Sequence, residues 1–196
     1  MVNEIKTVCV YSASSAGVEE AYYEAARQLG ALLAQRHLCL VNGAGSQGLM
    51  GAVADAVLEH GGEAVGVIPR FMVERGWHHP GMTRLVEVGT MHERKQEMAR
   101  LSDGIIALPG GCGTLEELLE IITWKQLGLY PKPIVILNVN AFFNPLLEML
   151  HRAVSEHFMR EEHADLWQVA ATPEQAVRLL FATPWWNPAV GKFETV

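Results

Sequence analysis

The chain has 196 residues, 15 Lys and Arg against 22 Asp and Glu, and a net charge of −7. That length suits one well-buried core, and the negative balance argues against general affinity for nucleic acid or anionic membrane. The start has no basic stretch followed by an apolar run, no apolar run approaches about 18 residues, and cysteines number only three, so the expectation is a reduced, cytoplasmic protein with no membrane partner.

A first strand is expected near 5–11, running into Ser12-Ala13-Ser14-Ser15. Ligands of open α/β sheets bind beyond the carboxyl ends of the strands, so Ser14 and Ser15 are candidates to touch a base or ribose. Helix capping is an equal reading for Ser15. A helix pattern over 19–36 and a strand over 38–42 follow. Gly43-Ala44-Gly45-Ser46-Gln47-Gly48 then matches G-x-G-x-x-G before a helix over 46–60. A dinucleotide fingerprint also needs an acid at the far end of the next strand. That strand, 63–68, ends in Ile68-Pro69-Arg70, with Glu63 at its start. Gly43 and Gly45 are therefore read as a second backbone contact to an anion or ribose, with close helix–strand packing as the alternative.

Residues 70–82 read as a long loop, a lid or a dimer element. A strand over 84–88 and a helix over 91–101 follow. Arg94 and Lys95 stand in the first turn of that helix, where a cation is unfavourable unless an anion is near. The alternative is a solvated face with Glu93 and Glu97 as partners.

The most informative stretch comes next. The strand 104–108 enters Pro109-Gly110-Gly111-Cys112-Gly113-Thr114, and a helix over 114–128 begins at once. Gly110, Gly111 and Gly113 let backbone N–H groups converge on an anion, and a helix N-terminus adds partial positive charge. Glu117 lies one turn inside. A phosphate cradle beside a carboxylate points to chemistry on a phosphorylated sugar or nucleotide. Thr114-x-x-Glu117 is also a capping box, and the residues alone leave both readings open.

A wholly apolar strand over 133–137 and helices over 142–157 and 173–181 complete the pattern. Alternating strands and helices predict an α/β fold, a parallel sheet with helices on both faces. The expected organisation is one domain, 1–182, and an extended tail, 183–196, whose Trp185 and Trp186 pack on the domain or on a partner subunit. His78-His79 and His92 lack the spacing of a metal site, so no metal is expected.

Arg94-Lys95 followed by Pro109 through Glu117 resembles the signature of the LONELY GUY family, an Arg-Lys pair and then P-G-G-x-G-T-x-x-E. The resemblance extends to Val65 through Pro69, Thr123 through Gly128 and Lys132-Pro133-Ile134, and covers roughly residues 5 to 180. It implies a Rossmann-like fold, a homodimer, no cofactor, and phosphoribohydrolase activity on cytokinin nucleoside 5′-monophosphates and AMP. Many members carry an old label of lysine decarboxylase, for which this sequence gives no reason. The chain also departs from the family. Ser12-Ala13 replaces Cys-Gly, Asn42-Gly43-Ala44-Gly45 replaces Y-G-G-G, and Phe71 or Met72 stands near a glutamate of plant members. The Ala44 methyl is expected to alter how closely a ligand approaches.

N-glycosidic cleavage builds positive charge at C1′ and negative charge on the base. Glu117 is expected to stabilise the former and orient water. Arg94 would hold the substrate, set the charge around Glu117 or assist the leaving base. Gly110 to Thr114 would bind the 5′-phosphate, with Lys95 a second cation. The competing expectation is a non-catalytic nucleotide sensor using the same glycine turns.

Overall fold

The structure, a computed structural model, describes residues 4–187. The rest of the expected tail, from Pro188 on, lies outside the described residues. Seven strands form one sheet: β1 Thr7–Tyr11, β2 Cys39–Asn42, β3 Ala64–Pro69, β4 Arg84–Val88, β5 Gly104–Ala107, β6 Ile134–Leu137 and β7 Gln168–Ala170. The order is β4-β3-β2-β1-β5-β6-β7, with every pairing parallel. The central strands are β-branched and apolar on both faces, as strands covered on both sides must be.

Seven α-helices connect them: α1 Glu20–Gln35, α2 Gly48–Glu59, α3 Arg70–Glu74, α4 Met91–Leu101, α5 Cys112–Gln126, α6 Asn144–Ser155 and α7 Pro173–Ala182. Alternate strand residues feed two cores. Val8, Val10, Leu40 and Ile106 pack under Leu29 and Leu33 of α1, Val53 and Val57 of α2 and Val177 of α7. Cys9, Tyr11, Val41 and Ile105 pack under Met98 of α4, Leu118 and Ile122 of α5 and Leu147 of α6. The expected helices on both faces are present.

Three differences from the sequence reading matter. The loop 70–82 contains the five-residue α3. The helix α5 starts at Cys112, two residues before the expected position. The three-residue β7 extends the sheet beyond β6; it is too short to show a period. In the tail, Trp186 donates its backbone N–H to the Pro131 carbonyl at 2.7 Å and packs on the core beneath α4 to α6.

The strand order reverses between β1 and β5. The chain fills β1 to β4 on one side and then returns to β5 on the other. A crevice opens at such a switch point, beyond the carboxyl ends of the strands. Backbone bonds stitch its rims together. Ala13 N–H donates to Pro109 O at 3.2 Å, and Met50 N–H donates to Ala13 O at 3.0 Å. The loops after β1 and β5 and the first turn of α2 are thus one unit.

Candidate active site

A cavity of about 370 Å³ lies at this switch point. Ser12 to Ser15 line it from the loop after β1, Gly43 and Gly45 from the β2–α2 loop, Met50 from the first turn of α2, Met72 from α3, Arg94 from α4, and Gly111 to Thr114 and Glu117 from the start of α5.

The α5 start forms one wall. Gly111 is the N-cap, and Leu115 N–H donates back to its carbonyl at 3.0 Å. The N–H groups of Cys112, Gly113 and Thr114 precede the first intrahelical donor, the arrangement that binds anions. A Cβ on Gly111 or Gly113 would meet nothing within 4 Å, so both backbones stand open. Gly110 has another role. A Cβ there would fall 2.1 Å from Thr114 Oγ1, so Gly110 lets that side chain close over the turn.

The capping-box reading of Thr114 and Glu117 fails. Thr114 is the third residue of the helix, and no hydrogen bond reaches the Glu117 carboxylate among the described residues. The threonine-glutamate pair that does cap a helix is Thr90 and Glu93. Thr90 Oγ1 accepts from Glu93 N–H at 3.1 Å, and Glu93 accepts from Gly89 N–H at 2.7 Å.

Arg94 is 6% exposed and held at two points. Nε donates to Val67 O and Nη2 to Gly43 O, each at 3.0 Å. Nη1 stands 3.8 Å from Glu117 Oε1. Burial pushes the Glu117 carboxyl up to about 7, with Arg94 opposing the rise. A carboxyl at that value is poised to exchange a proton near neutral pH.

Several expectations need correction. Arg94 and Lys95 do not form a solvated face; both are buried against α5, while Glu97 pairs with Arg100. Lys95 does not line the cavity. Its Nζ donates to Glu116 at 2.5 Å and Glu120 at 3.2 Å. Gly43 serves Arg94: a Cβ there would fall 1.6 Å from Nη2. The Gly45 N–H is turned to Met50 Sδ at 3.1 Å. The Ala44 methyl does not line the cavity. Ala44 is fully buried, packs against Gly66 of β3, and holds φ at +61°, where a side chain is strained. Ser14 and Ser15 do line the cavity and are exposed.

Sequence reasoning missed four contributors. Ser12 lines the cavity, is 3% exposed, and its Oγ has no hydrogen-bond partner. Asn42 locks the β2–α2 loop, accepting from Ala44 N–H and donating to Met50 O. Met50 and Met72 supply an adaptable apolar wall. The substitutions at Ser12 and Asn42, and the place of Met72 near the glutamate of plant members, were the available signals.

Comparison with known proteins bears on this arrangement. A family model described as "Possible lysine decarboxylase" matches residues 50–180. A protein of Oryza sativa subsp. japonica named as a probable cytokinin riboside 5′-monophosphate phosphoribohydrolase is 44% identical over 178 residues, 91% of this chain and 73% of that protein. A cytokinin riboside 5′-monophosphate phosphoribohydrolase of Arabidopsis thaliana is 44% identical over 180 residues, 92% of this chain and 79% of that one.

The chain belongs to the LONELY GUY family.

This LONELY GUY chain also shares its fold with a molybdenum cofactor binding protein from Rippkaea orientalis. The TM-score is 0.70 at 19% identity, over 91% of this chain and 97% of that one. Among the described residues, no group of three or more His, Cys, Asp or Glu side chains is placed to hold a metal ion, and no helix is long and apolar enough to cross a membrane.

Proposed function

We propose that this chain hydrolyses the N-glycosidic bond of a purine nucleoside 5′-monophosphate, a cytokinin riboside 5′-monophosphate or AMP, to free base and ribose 5-phosphate. The observation that carries the reading is Glu117. It is a buried carboxyl in the cavity wall, 3.8 Å from Arg94 and one turn from the open amides of α5.

The amides of Cys112, Gly113 and Thr114 hold the 5′-phosphate, which fixes C1′ near Glu117 through binding energy remote from the reacting bond. As the C1′–N bond breaks, its electron pair leaves with the base. Ionised Glu117 stabilises the oxocarbenium-like centre and orients water, whose oxygen bonds to C1′. One water proton passes to Glu117, which releases it to solvent, and the departing base nitrogen takes up one proton from solvent, so the carboxylate is regenerated. Arg94 favours the ionised Glu117 and faces the charge that develops. Ser12, Ser14 and Ser15 are placed to contact ribose or base.

Glu117→Gln should fold and bind AMP yet lose about 10²–10³ in kcat, as removal of one electrostatic group commonly does. Base release measured by chromatography tests this; full turnover in the variant would contradict it. A non-catalytic sensor needs no such carboxylate, and tighter AMP binding by Glu117→Ala with unchanged turnover would favour it. The same reading includes a single domain over 1–182 and a homodimer, which light scattering would show as twice the 21.6 kDa chain mass. The three free cysteines suit a reducing, cytoplasmic setting.

A further inference from the structure

Lys95 is 5% exposed, charged, and outside the cavity that its neighbour Arg94 lines. Its partners, Glu116 and Glu120, flank Glu117 on α5. Two ion-pair sets therefore interlock between α4 and α5. Arg94 faces Glu117, and one residue on, Lys95 holds the acids on either side.

The two sets are anchored differently. The guanidinium of Arg94 is tied to β3 and the β2–α2 loop through Val67 O and Gly43 O. Glu117 accepts no hydrogen bond among the described residues, so its place depends on how α5 sits against α4. Lys95 supplies the short polar bonds between those helices, at 2.5 and 3.2 Å.

We propose that Lys95 is a positioning residue: by holding Glu116 and Glu120 it seats α5 against α4 and sets Glu117 opposite Arg94. This rests on the hydrolase reading above. It assigns Lys95 to the geometry of the reacting pair and not to the phosphate.

The electrostatics give the test a sign. Glu117 is faced by Arg94 and Lys95 from α4, by Glu116 and Glu120 from α5, and by Cys9 and Tyr11 of β1. Burial holds the latter two neutral. Lys95 favours the ionised Glu117, whereas Glu116 and Glu120 oppose it. Removing the Lys95 charge moves the Glu117 titration up in pH, and removing the Glu116 charge moves it down.

The experiment compares the wild type with Lys95→Met, Lys95→Arg and Glu116→Gln. It measures kcat and KM for AMP across pH, the Kd of ribose 5-phosphate, and the Glu117 carboxyl titration by carbon-13 NMR. Lys95→Met should lower kcat roughly 10- to 100-fold, as small misplacements of reacting groups do. KM and the ribose 5-phosphate Kd should hold, the acid limb and the NMR titration should move up, and Lys95→Arg should restore most of the rate. Glu116→Gln should move the titration down and keeps the test intact if Lys95→Met fails to fold. A raised KM and weakened ribose 5-phosphate binding with kcat unchanged would make Lys95 a phosphate ligand and overturn the proposal. So would a lower kcat with an unmoved titration and no rescue by arginine. The NMR titration needs no turnover, so an inactive wild type would defeat the hydrolase reading while the placement of Glu117 is still judged.

Discussion

At the scale of single residues, Glu117 has opposite consequences for activity and for stability. Its folded-state pKa of about 7 lies above the ordinary 4.5 because burial penalises the charge. Protonated below 4.5 in folded and unfolded chain alike, it costs nothing there. The cost grows as pH rises from 4.5 and is complete above about 7, where it reaches roughly 3 kcal/mol. Glu117→Gln should therefore match the wild type in denaturant unfolding at pH 4 and exceed it at pH 8. Equal stability at both values would mean that Glu117 is not desolvated. Ala44 is a smaller case of strain beside the site. Its left-handed backbone would suit glycine, yet its methyl fills the space over Gly66.

At the scale of elements, α5 carries both the open amides and the buried carboxyl of the site. Its first turn presents amides to the cavity and its second presents Glu117. Two turns further, Lys125 is 1% exposed and pairs with no carboxylate among the described residues. Burial lowers its pKa to about 8. The depressed value means that the folded chain bears the cost of the charged amine below pH 8, and the cost fades as pH rises toward 10.5. Lys125→Met should stabilise the protein at pH 7 by roughly 2–3 kcal/mol, with the gain shrinking at pH 10. A destabilised variant at pH 7 would mean that the amine has a partner, such as a second subunit.

Much of α4 and α5 was legible because the strand 104–108 and the glycine turn are local signals. What was not legible was direction. Nothing in Arg94-Lys95 shows that neighbouring cations serve different partners, one the cavity and one α5. That depends on the 100° step between successive residues and on where α5 packs. Likewise, Thr90-x-x-Glu93 and Thr114-x-x-Glu117 share a pattern. Only the position of the N-cap, Thr90 in one helix and Gly111 in the other, separates a cap from a buried carboxyl. The helix α3 and the strand β7 are too short for periodicity to reveal.

At the scale of the whole molecule, the alternation of strands and helices fixes where a ligand can bind. A parallel sheet whose order reverses between β1 and β5 opens its crevice there, and residues 12–15 and 110–114 follow those two strands. Two glycine-rich loops near one crevice read in the sequence as a phosphate cradle and a second anion or ribose contact. In the folded chain they divide the work: the β5–α5 turn faces the cavity with open amides, while the β2–α2 loop braces Arg94 and buries Ala44. That loop is itself held from outside. His79 N–H donates to Ala44 O at 2.7 Å, and the His79 ring meets Asp55 Oδ1 at 2.8 Å and Gly81 N–H at 3.0 Å. The expected long loop therefore acts as a buttress.

The most direct test of the central claim is release of free base from AMP and from isopentenyl-AMP, followed by chromatography with adenosine as the unphosphorylated control. Free base should appear from the monophosphates, with little or none from adenosine, because the α5 amides need a phosphate to hold. Equal release from adenosine would contradict the phosphate role of the glycine turn. No release from any of the three, with AMP still bound, would contradict hydrolysis itself.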